Sequence, residues 1–331
     1  MAFTLLLVSM CLCAFLSVCY IFHFDFCAAI TAFPVWSWLA FGLPLTALGS
    51  IGTKKYYFIA AFSIWLVYLF FLADETNSMI RACFKSSPPL GLKDVPHDNH
   101  NFRVISLNCG GGNPDAAKEV AIFKADIIIL QETPTEKDIK QLTNQLFDSK
   151  GAFLLLYDNA VIVNGEIISK NSDDNSGKYS TLAHVKLKSG IELVAISLRF
   201  VPPTLRFDIW SPDCWKDYAS DRCAKRLRVS NIAEILNSLP PETPILIGGD
   251  FNMPARDGAL NILNPLLRDS FIEAGIGWGN TVLNDLPVHR FDQIWISKHF
   301  KAIAVIARKT QYSDHRMAIA DLVVNTNADQ F

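Results

Sequence analysis

Between Met1 and Ala73 the chain carries only three charged side chains, Asp25, Lys54 and Lys55. Few features restrict a fold more. A stretch this apolar either fills a large core or lies in lipid, and in lipid only helices satisfy their own backbone groups. Three runs in it, residues 4–22, 30–51 and 56–73, are each near the roughly 20 residues that cross a bilayer core. Pro34 and Pro44 fall inside the second. Trp36, Trp38, Tyr56 and Tyr57 stand near the ends of these runs, where aromatic belts form. The first run lacks the basic flank of a cleaved signal peptide, and two more runs follow it, so it reads as a retained anchor. Val18 before Cys19 argues against a lipoprotein site.

Lys54 and Lys55 occupy the second short loop, whereas the first has neither Lys nor Arg. The positive-inside rule then places the second loop in the cytoplasm and everything after Ala73 outside, at a multi-pass cell membrane. Arg81, Lys85 and Lys93 pull the other way. The expected organisation is a three-helix transmembrane anchor at 1–73, a linker rich in Pro, Ser and polar residues at 74–100, and a catalytic domain at 101–331.

Taking Lys54, Lys55 and Asp25 from the chain's 30 basic and 32 acidic residues leaves 28 against 31. That balance disfavours a protein that grips long nucleic acid through its phosphates. Of the eight cysteines, Cys214 and Cys223 admit two readings, a disulfide or two free buried thiols. No Cys-x-x-Cys pair suggests a zinc knuckle.

From Asn101 onward, short apolar runs alternate with helix-like stretches. "FRVISLN", "DIIILQE", "AVIVNG", "EIIS", "STLAHVKLK", "IELVAISLRF", "PILIGGD", "FDQIWIS" and "AIADLVV" read as strands. "DAAKEVAIFKA", "PTEKDIKQLTNQLFDS" and "RCAKRLRVSNIAEILNSL" read as helices, the last with Leu227, Ile232, Ile235 and Leu236 as its apolar face. Two sheets packed face to face with helices outside account for this order, a layered α/β architecture.

Polar residues gather where apolar strands stop. Asn108 ends "VISLN", Glu132 ends "IIILQE", Asp250 and Asn252 follow "ILIGG", Asp292 begins "DQIWIS", and Asp314 and His315 precede "RMAIADL". Singly, each has a structural reading: a turn cap for Asn108, a helix-start acid for Glu132, an Asx turn for Asp250, a satisfied half-buried ring for His315. Together, at the same relative place on different strands, they describe a site on one rim.

"SLNCGGGN", "DIIILQET", "GGDFNMP", "FDQIWIS" and "YSDHRMAI" stand in the order found in the endonuclease/exonuclease/phosphatase superfamily, and the chain resembles that superfamily over residues 101–324. The resemblance implies a DNase I-like fold, a four-layer β-sandwich flanked by helices, here preceded by transmembrane helices. The three apolar runs make the architecture similar to a membrane-anchored branch related to VanJ-type proteins. The implied activity is divalent-metal-dependent hydrolysis of a phosphodiester, a phosphomonoester or a lipid-linked diphosphate; a site tethered beside the bilayer favours substrates that live there. An extracytoplasmic nuclease and a non-catalytic binding module are the alternatives.

The resemblance also assigns roles. Glu132, Asn108 and Asp314 supply oxygens to Mg²⁺ or Mn²⁺. Asp250 orients or deprotonates the attacking water, Asn252 donates to a phosphoryl oxygen, and His315, held by Asp292, stabilises the transition state. Many relatives carry a second histidine where this chain has Ser197 or Arg199 in "LVAISLRFVPP". Arg199 is expected either to bind phosphate or to form a surface ion pair, and in neither case can it act as an acid. Residues 202–226, with Trp210, Trp215 and Tyr218 among basic residues, suit either a lipid or diphosphate contact or a loop packed by its tryptophans. "GWGNT" at 277–281 either shapes the cleft or forms a tight turn.

Overall fold

The computed structural model describes residues 1–84, 100–148, 150–171 and 179–325. Contacts divide the chain into two compact units. The first holds Met1–Asn77, Thr204–Arg226 and Arg256–Ala259; the second holds Ser78–Pro203, Leu227–Ala255 and Leu260–Phe331.

In the first unit, α1 (Ala2–Phe22) and α4 (Lys55–Leu72) are long and apolar enough to cross a membrane. The second expected span is not one straight helix. Its residues form two arms, Asp25–Thr31 and Val35–Ser50, bent by 78°. The first arm ends in α2 (Ala28–Thr31) and the second in α3 (Leu39–Ser50). Pro34 lies at the break, where it has no N–H to continue a helix and pushes Phe33 out of the helical region. The pair makes a third span only if both arms count as one.

Two pieces of the expected catalytic domain belong to this unit. Arg222 explains why. Its buried guanidinium donates to Asp257 (3.2 Å), to the carbonyls of His23 (3.4 Å) and Phe24 (3.2 Å), and to the Thr31 hydroxyl. The loop after α1 has carbonyls to satisfy, and Arg222 supplies the protons. Cys214 and Cys223 are free thiols, the first buried and the second exposed. Both lie on α8 (Pro212–Ser238), nine residues apart, so about 13.5 Å of helical rise separates them, beyond any disulfide. α8 also starts ten residues before the expected helix, and Leu227 is exposed rather than packed. The linker begins as a helix, α5 (Asp74–Phe84), with acids in its first turn and Arg81 in its last, as the helix dipole favours. Residues 85–99 of the linker lie outside the described residues.

The second unit contains two six-stranded sheets. The first runs β11 (Phe300–Arg308), β12 (Met317–Val324), β1 (Asn101–Asn108), β2 (Ile127–Gln131), β4 (Asn159–Val163), β3 (Ala152–Leu156). The other runs β5 (Gly165–Asn171), β6 (Ser180–Leu187), β7 (Glu192–Arg199), β8 (Ile245–Asp250), β10 (Asp292–Ile296), β9 (Arg268–Asp269). Each has a parallel pair at its centre, β1 with β2 and β7 with β8. Ile127 and Ile129 point into the core between the sheets, against Ala195 and Leu246. Ile128 and Leu130 point outward to α6 (Pro114–Lys118) and α7 (Glu136–Phe147), meeting Ala116, Ala117, Ile139 and Leu142. A strand buried on both faces reads as an unbroken apolar run, which is why "DIIIL" shows no alternation. α9 (Ser270–Ala274) packs Phe271 and Ala274 onto the inter-sheet core. Strands β3, β9 and β11 were not anticipated.

The glycines before Asp250 have different reasons to be glycine. A Cβ on Gly249 would lie 2.0 Å from the Leu198 carbonyl oxygen of the neighbouring strand, which cannot move without breaking the sheet. A Cβ on Gly248 would meet the end of the Ile129 side chain at 2.8 Å, which can rotate away. Gly249→Ala should therefore cost about 3 kcal/mol or more, and Gly248→Ala less than about 1.5 kcal/mol. Thermal melting of the purified variants checks the order; equal losses would mean the β7–β8 contact is not the limiting one.

Candidate active site at the sheet rim

Strand register places the polar residues on one rim. Asn108 pairs with Gln131 at the ends of the parallel β1 and β2, and Glu132 follows. Asp250 lies opposite both Arg199 and Asp292 in the other sheet. The two sheets meet through side chains. The Asn108 amide nitrogen donates to Glu132 Oε1 (3.1 Å) and to Asp250 Oδ2 (3.1 Å), so one carboxamide spans two carboxylates.

Both asparagine and aspartate also serve local turns. Asn108 Oδ1 accepts the Gly110 N–H (3.0 Å), and Asp250 Oδ1 accepts the Asn252 N–H (3.0 Å). The turn readings of these residues and the site reading hold at once. Asn252 sits at φ +49°, a region asparagine tolerates, and its amide nitrogen donates to the Phe200 carbonyl (2.7 Å) and to Asp250 Oδ2 (2.9 Å). In this structure Asn252 braces Asp250, and a phosphate oxygen would compete with those acceptors for its protons.

Glu132 has φ +45°, uncommon for a non-glycine residue and of the kind that collects at functional sites. Gly111 N–H donates to its Oε2 (2.6 Å) and Arg199 Nη2 to its Oε1 (2.7 Å). Burial works to raise its pKa, but the hydrogen bonds from Asn108 and Gly111 and the Arg199 charge outweigh this and hold the carboxyl below the usual range. Glu132 is thus ionised at neutral pH. Arg199 bridges Glu132 and Asp158 (2.6 Å) from a half-buried position. Ser197, the other residue at the expected second-histidine position, is buried below the rim and donates to the Leu130 carbonyl (2.9 Å).

Asp292 and His315 form a buried pair, Oδ2 to Nδ1 at 2.8 Å. Burial alone would lower the pKa of His315; the Asp292 carboxylate, then the charges of Asp250 and Asp314, reverse this and raise it to about 10. Asp250 is pushed up to about 7, first by burial and then by the Asp292 charge. One ligand atom from each of Asp250, Asp292 and His315 falls within 4.8 Å of the others, and buried Asp292 Oδ1 has no hydrogen-bond partner among the described residues. Asp314 is exposed, and its Oδ1 lies 3.1 Å from where a Gly110 Cβ would be, which places it over the loop that feeds Asn108 and Glu132.

Three supporting residues had no assigned role in the sequence reading. Thr281 Oγ1 accepts the N–H groups of Phe291 (3.2 Å) and Asp292 (3.0 Å), fixing where β10 begins. Thr281 closes the "GWGNT" stretch, so that stretch does touch the site. Ser313 donates to the Asn108 carbonyl (2.7 Å) and accepts the His315 N–H (3.0 Å). Its place directly before Asp314 and His315 was the available signal. Val282 forms β-bridges with both His289 and His315, which brings a second histidine to this side of the site from a loop rather than from β7. Burial lowers the pKa of His289 to about 4, so its ring is neutral.

The Glu132 carboxylate, with the amide oxygen of Asn108 and the Asp314 side chain over the Gly110 loop, offers the kind of oxygens that suit a hard divalent cation. The Asp250, Asp292 and His315 group is also compact enough for one, with His315 giving up its proton to serve as a ligand.

The fold and sequence have known counterparts. The Endonuclease/Exonuclease/phosphatase family profile matches residues 105–315. No curated protein matches the sequence. Among solved structures, an endonuclease/exonuclease/phosphatase family protein from Bacteroides thetaiotaomicron is similar at 15% identity and TM-score 0.55, covering 68% of this chain and 98% of that one. One from Bacteroides vulgatus has 16% identity and TM-score 0.53, covering 68% and 99%. A mannosyl-6-phosphatase from Bacteroides thetaiotaomicron has 16% identity and TM-score 0.50, covering 67% and 99%. These likenesses show a shared fold, two mixed sheets flanked by helices in the DNase I-like arrangement. With more than half of its length matched by the family profile, this chain belongs to the endonuclease/exonuclease/phosphatase family.

Proposed function

We propose that the chain is a membrane-anchored phosphohydrolase dependent on Mg²⁺ or Mn²⁺. Its site faces away from the cytoplasm, and its substrate is a phosphate ester or a lipid-linked diphosphate. Members of the family are generally hydrolases of phosphate esters and typically use divalent metals. The observation that carries the reading is the geometry at the rim: the Asp250 carboxylate held by Asn108 and Asn252 beside the buried Asp292–His315 pair, with Asp250 and His315 both raised in pKa. Groups driven to opposite roles at one rim are the mark of acid–base machinery. The apolar helices and the three-run sequence pattern support the anchor, the lipid-linked substrate and a likeness to the VanJ-type branch.

Glu132, with Asn108 and Asp314, would hold the cation. When bound, the cation polarises a phosphoryl oxygen as a Lewis acid. Asp250, with one oxygen fixed by the Asn252 backbone and the other by two amides, accepts a proton from the attacking water. His315 keeps its Nδ1 proton on Asp292 and offers Nε2–H to the phosphate, where charge builds in the transition state. Arg199 adds a fixed positive charge from the β7 side and binds rather than donates a proton.

Two predictions follow from this division. Metal-dependent release from bis-p-nitrophenyl phosphate, single-stranded DNA and a polyprenyl diphosphate should favour the last. Asp250→Asn should lower kcat by about 10²–10⁴-fold. Glu132→Gln should raise the metal concentration for half activity by about 10-fold or more. Unchanged metal titration in Glu132→Gln would move the cation elsewhere, and preference for DNA would favour a nuclease.

The second concerns pH. Activity should rise as Asp250 loses its proton near pH 7 and fall as His315 loses its own near pH 10. Asp292 raises both values, so Asp292→Asn should move both limbs of kcat/KM to lower pH, the alkaline one by about 1 unit or more. A profile that only drops in height would mean Asp292 does not set these protonation states.

A further inference from the structure

The loop after β7 inverts the usual pattern of a surface loop. Leu205, Phe207 and Trp210 are 70%, 72% and 83% exposed, while the charged groups around them, themselves partly exposed, are paired with one another. Arg206 forks onto Asp208 (3.0 Å and 2.5 Å) and reaches Asp217 (2.6 Å). The Tyr218 hydroxyl accepts the Arg206 N–H (3.0 Å) and donates to the Arg206 carbonyl (2.9 Å). The Trp215 indole donates to the Ile209 carbonyl (2.7 Å). The backbone is thus held rigidly from within, and three large apolar side chains are presented outward.

We propose that the Leu205–Trp210 loop is a bilayer-inserting hook, seated in the interfacial layer of the membrane that α1 and α4 cross. The inference rests on the reading of those helices as spans. The loop belongs to the same compact unit as they do. Phe207 packs its ring on Phe33 at 6.2 Å, directly before Pro34 at the break in the bent pair. Phe33 in turn meets Trp38 edge-on at 5.9 Å. An aromatic path therefore runs from the apolar helices into the exposed loop. A lipid interface asks for apolar area, an aromatic ring at its boundary and no unpaired charge or backbone group. This loop supplies the apolar area and the aromatic rings, its charges pair with one another, and the Arg206 and Ile209 backbone is engaged by Tyr218 and Trp215. A protein partner would draw on polar hydrogen bonds at the rim of the contact, and the loop's own polar groups are already engaged.

The test uses the full chain in phospholipid vesicles, with exposed Cys11, Cys83 and Cys223 changed to serine. An environment-sensitive fluorophore is placed on Leu205→Cys, on Ile59→Cys in α4, and on Lys301→Cys in the second unit. Quenching by a nitroxide lipid and by aqueous iodide is then compared. The expected result is that positions 205 and 59 are quenched by the lipid probe, position 205 more by a shallow nitroxide than by a deep one, and that iodide quenches only position 301. If position 59 responds to lipid and 205 responds to iodide, the hook is overturned while the spans stand. Protection of 205 from both quenchers means a second copy or another protein covers it, which also overturns the proposal. If neither 59 nor 205 responds to lipid, the membrane reading itself fails and takes the hook with it.

Discussion

The hydrogen bond from the Asn108 amide to Asp250 Oδ2 joins two sheets across 142 residues of sequence, and the site depends on it. Each sheet alone offers half of the chemistry. Sheet one contributes Asn108 and Glu132 from parallel strand ends, and His315 from the approach to β12. Sheet two contributes Asp250 and Asp292. The same amide reaches Glu132, so displacement of either sheet would separate the ionised carboxylate from the raised one. Of the two β8 glycines, Gly248 faces Ile129 of the opposite sheet, whereas Gly249 answers to the Leu198 carbonyl within its own.

Electrostatics at the rim follow from where burial stops. Asp250 and Asp292 lie opposite each other on antiparallel strands, both buried, and two adjacent carboxylates resist sharing negative charge. The protein resolves the conflict unequally. Asp292 is hydrogen-bonded to the His315 ring, while Asp250 rises toward neutral pH, first through its burial and then through the Asp292 charge. Glu132, at the open edge and bonded by Gly111 and Arg199, goes the other way. A single rim therefore carries an ionised carboxylate, a carboxyl near its midpoint and a protonated imidazole at one pH. Thr281 and Ser313 keep these groups in register by binding backbone rather than substrate.

Much of this was legible in the sequence because burial imposes patterns. Strands buried on two faces leave unbroken apolar runs, and the polar residue that ends each run marks the rim. Residues such as Asn108 and Asp250 were ambiguous singly because they perform turn and site work together. What escaped was set by contacts with no local signature. β11 is a stretch in which an apolar residue, Ile303, takes an exposed position and a register shift follows Ala302, and the end of α8 that holds Cys214 and Trp215 looked like a loop because tryptophan and proline mask its helical character. The break at Pro34 was visible as a residue but not as a 78° bend, since hydropathy counts apolar residues without asking whether one helix can hold them. The buried Arg103–Asp321 pair, matched across β1 and β12, gave no sequence sign at all.

Arg222 is tied to the loop after α1 by bonds to the carbonyls of His23 and Phe24, and Arg226 pairs with Asp25 on that same loop (2.5 Å). Asp25 is the sole charge in the chain's first 53 residues, and Arg226 holds its carboxyl below the usual range. A chain that places its first charge where a basic helix must come to meet it has fixed that helix to the apolar unit by electrostatics as well as by packing. The strand that feeds this insertion, β7, ends in Arg199 beside Glu132. Sequence continuity thus links the residues that answer the apolar helices to a strand that supplies charge to the site, with Val201–Pro203 between them.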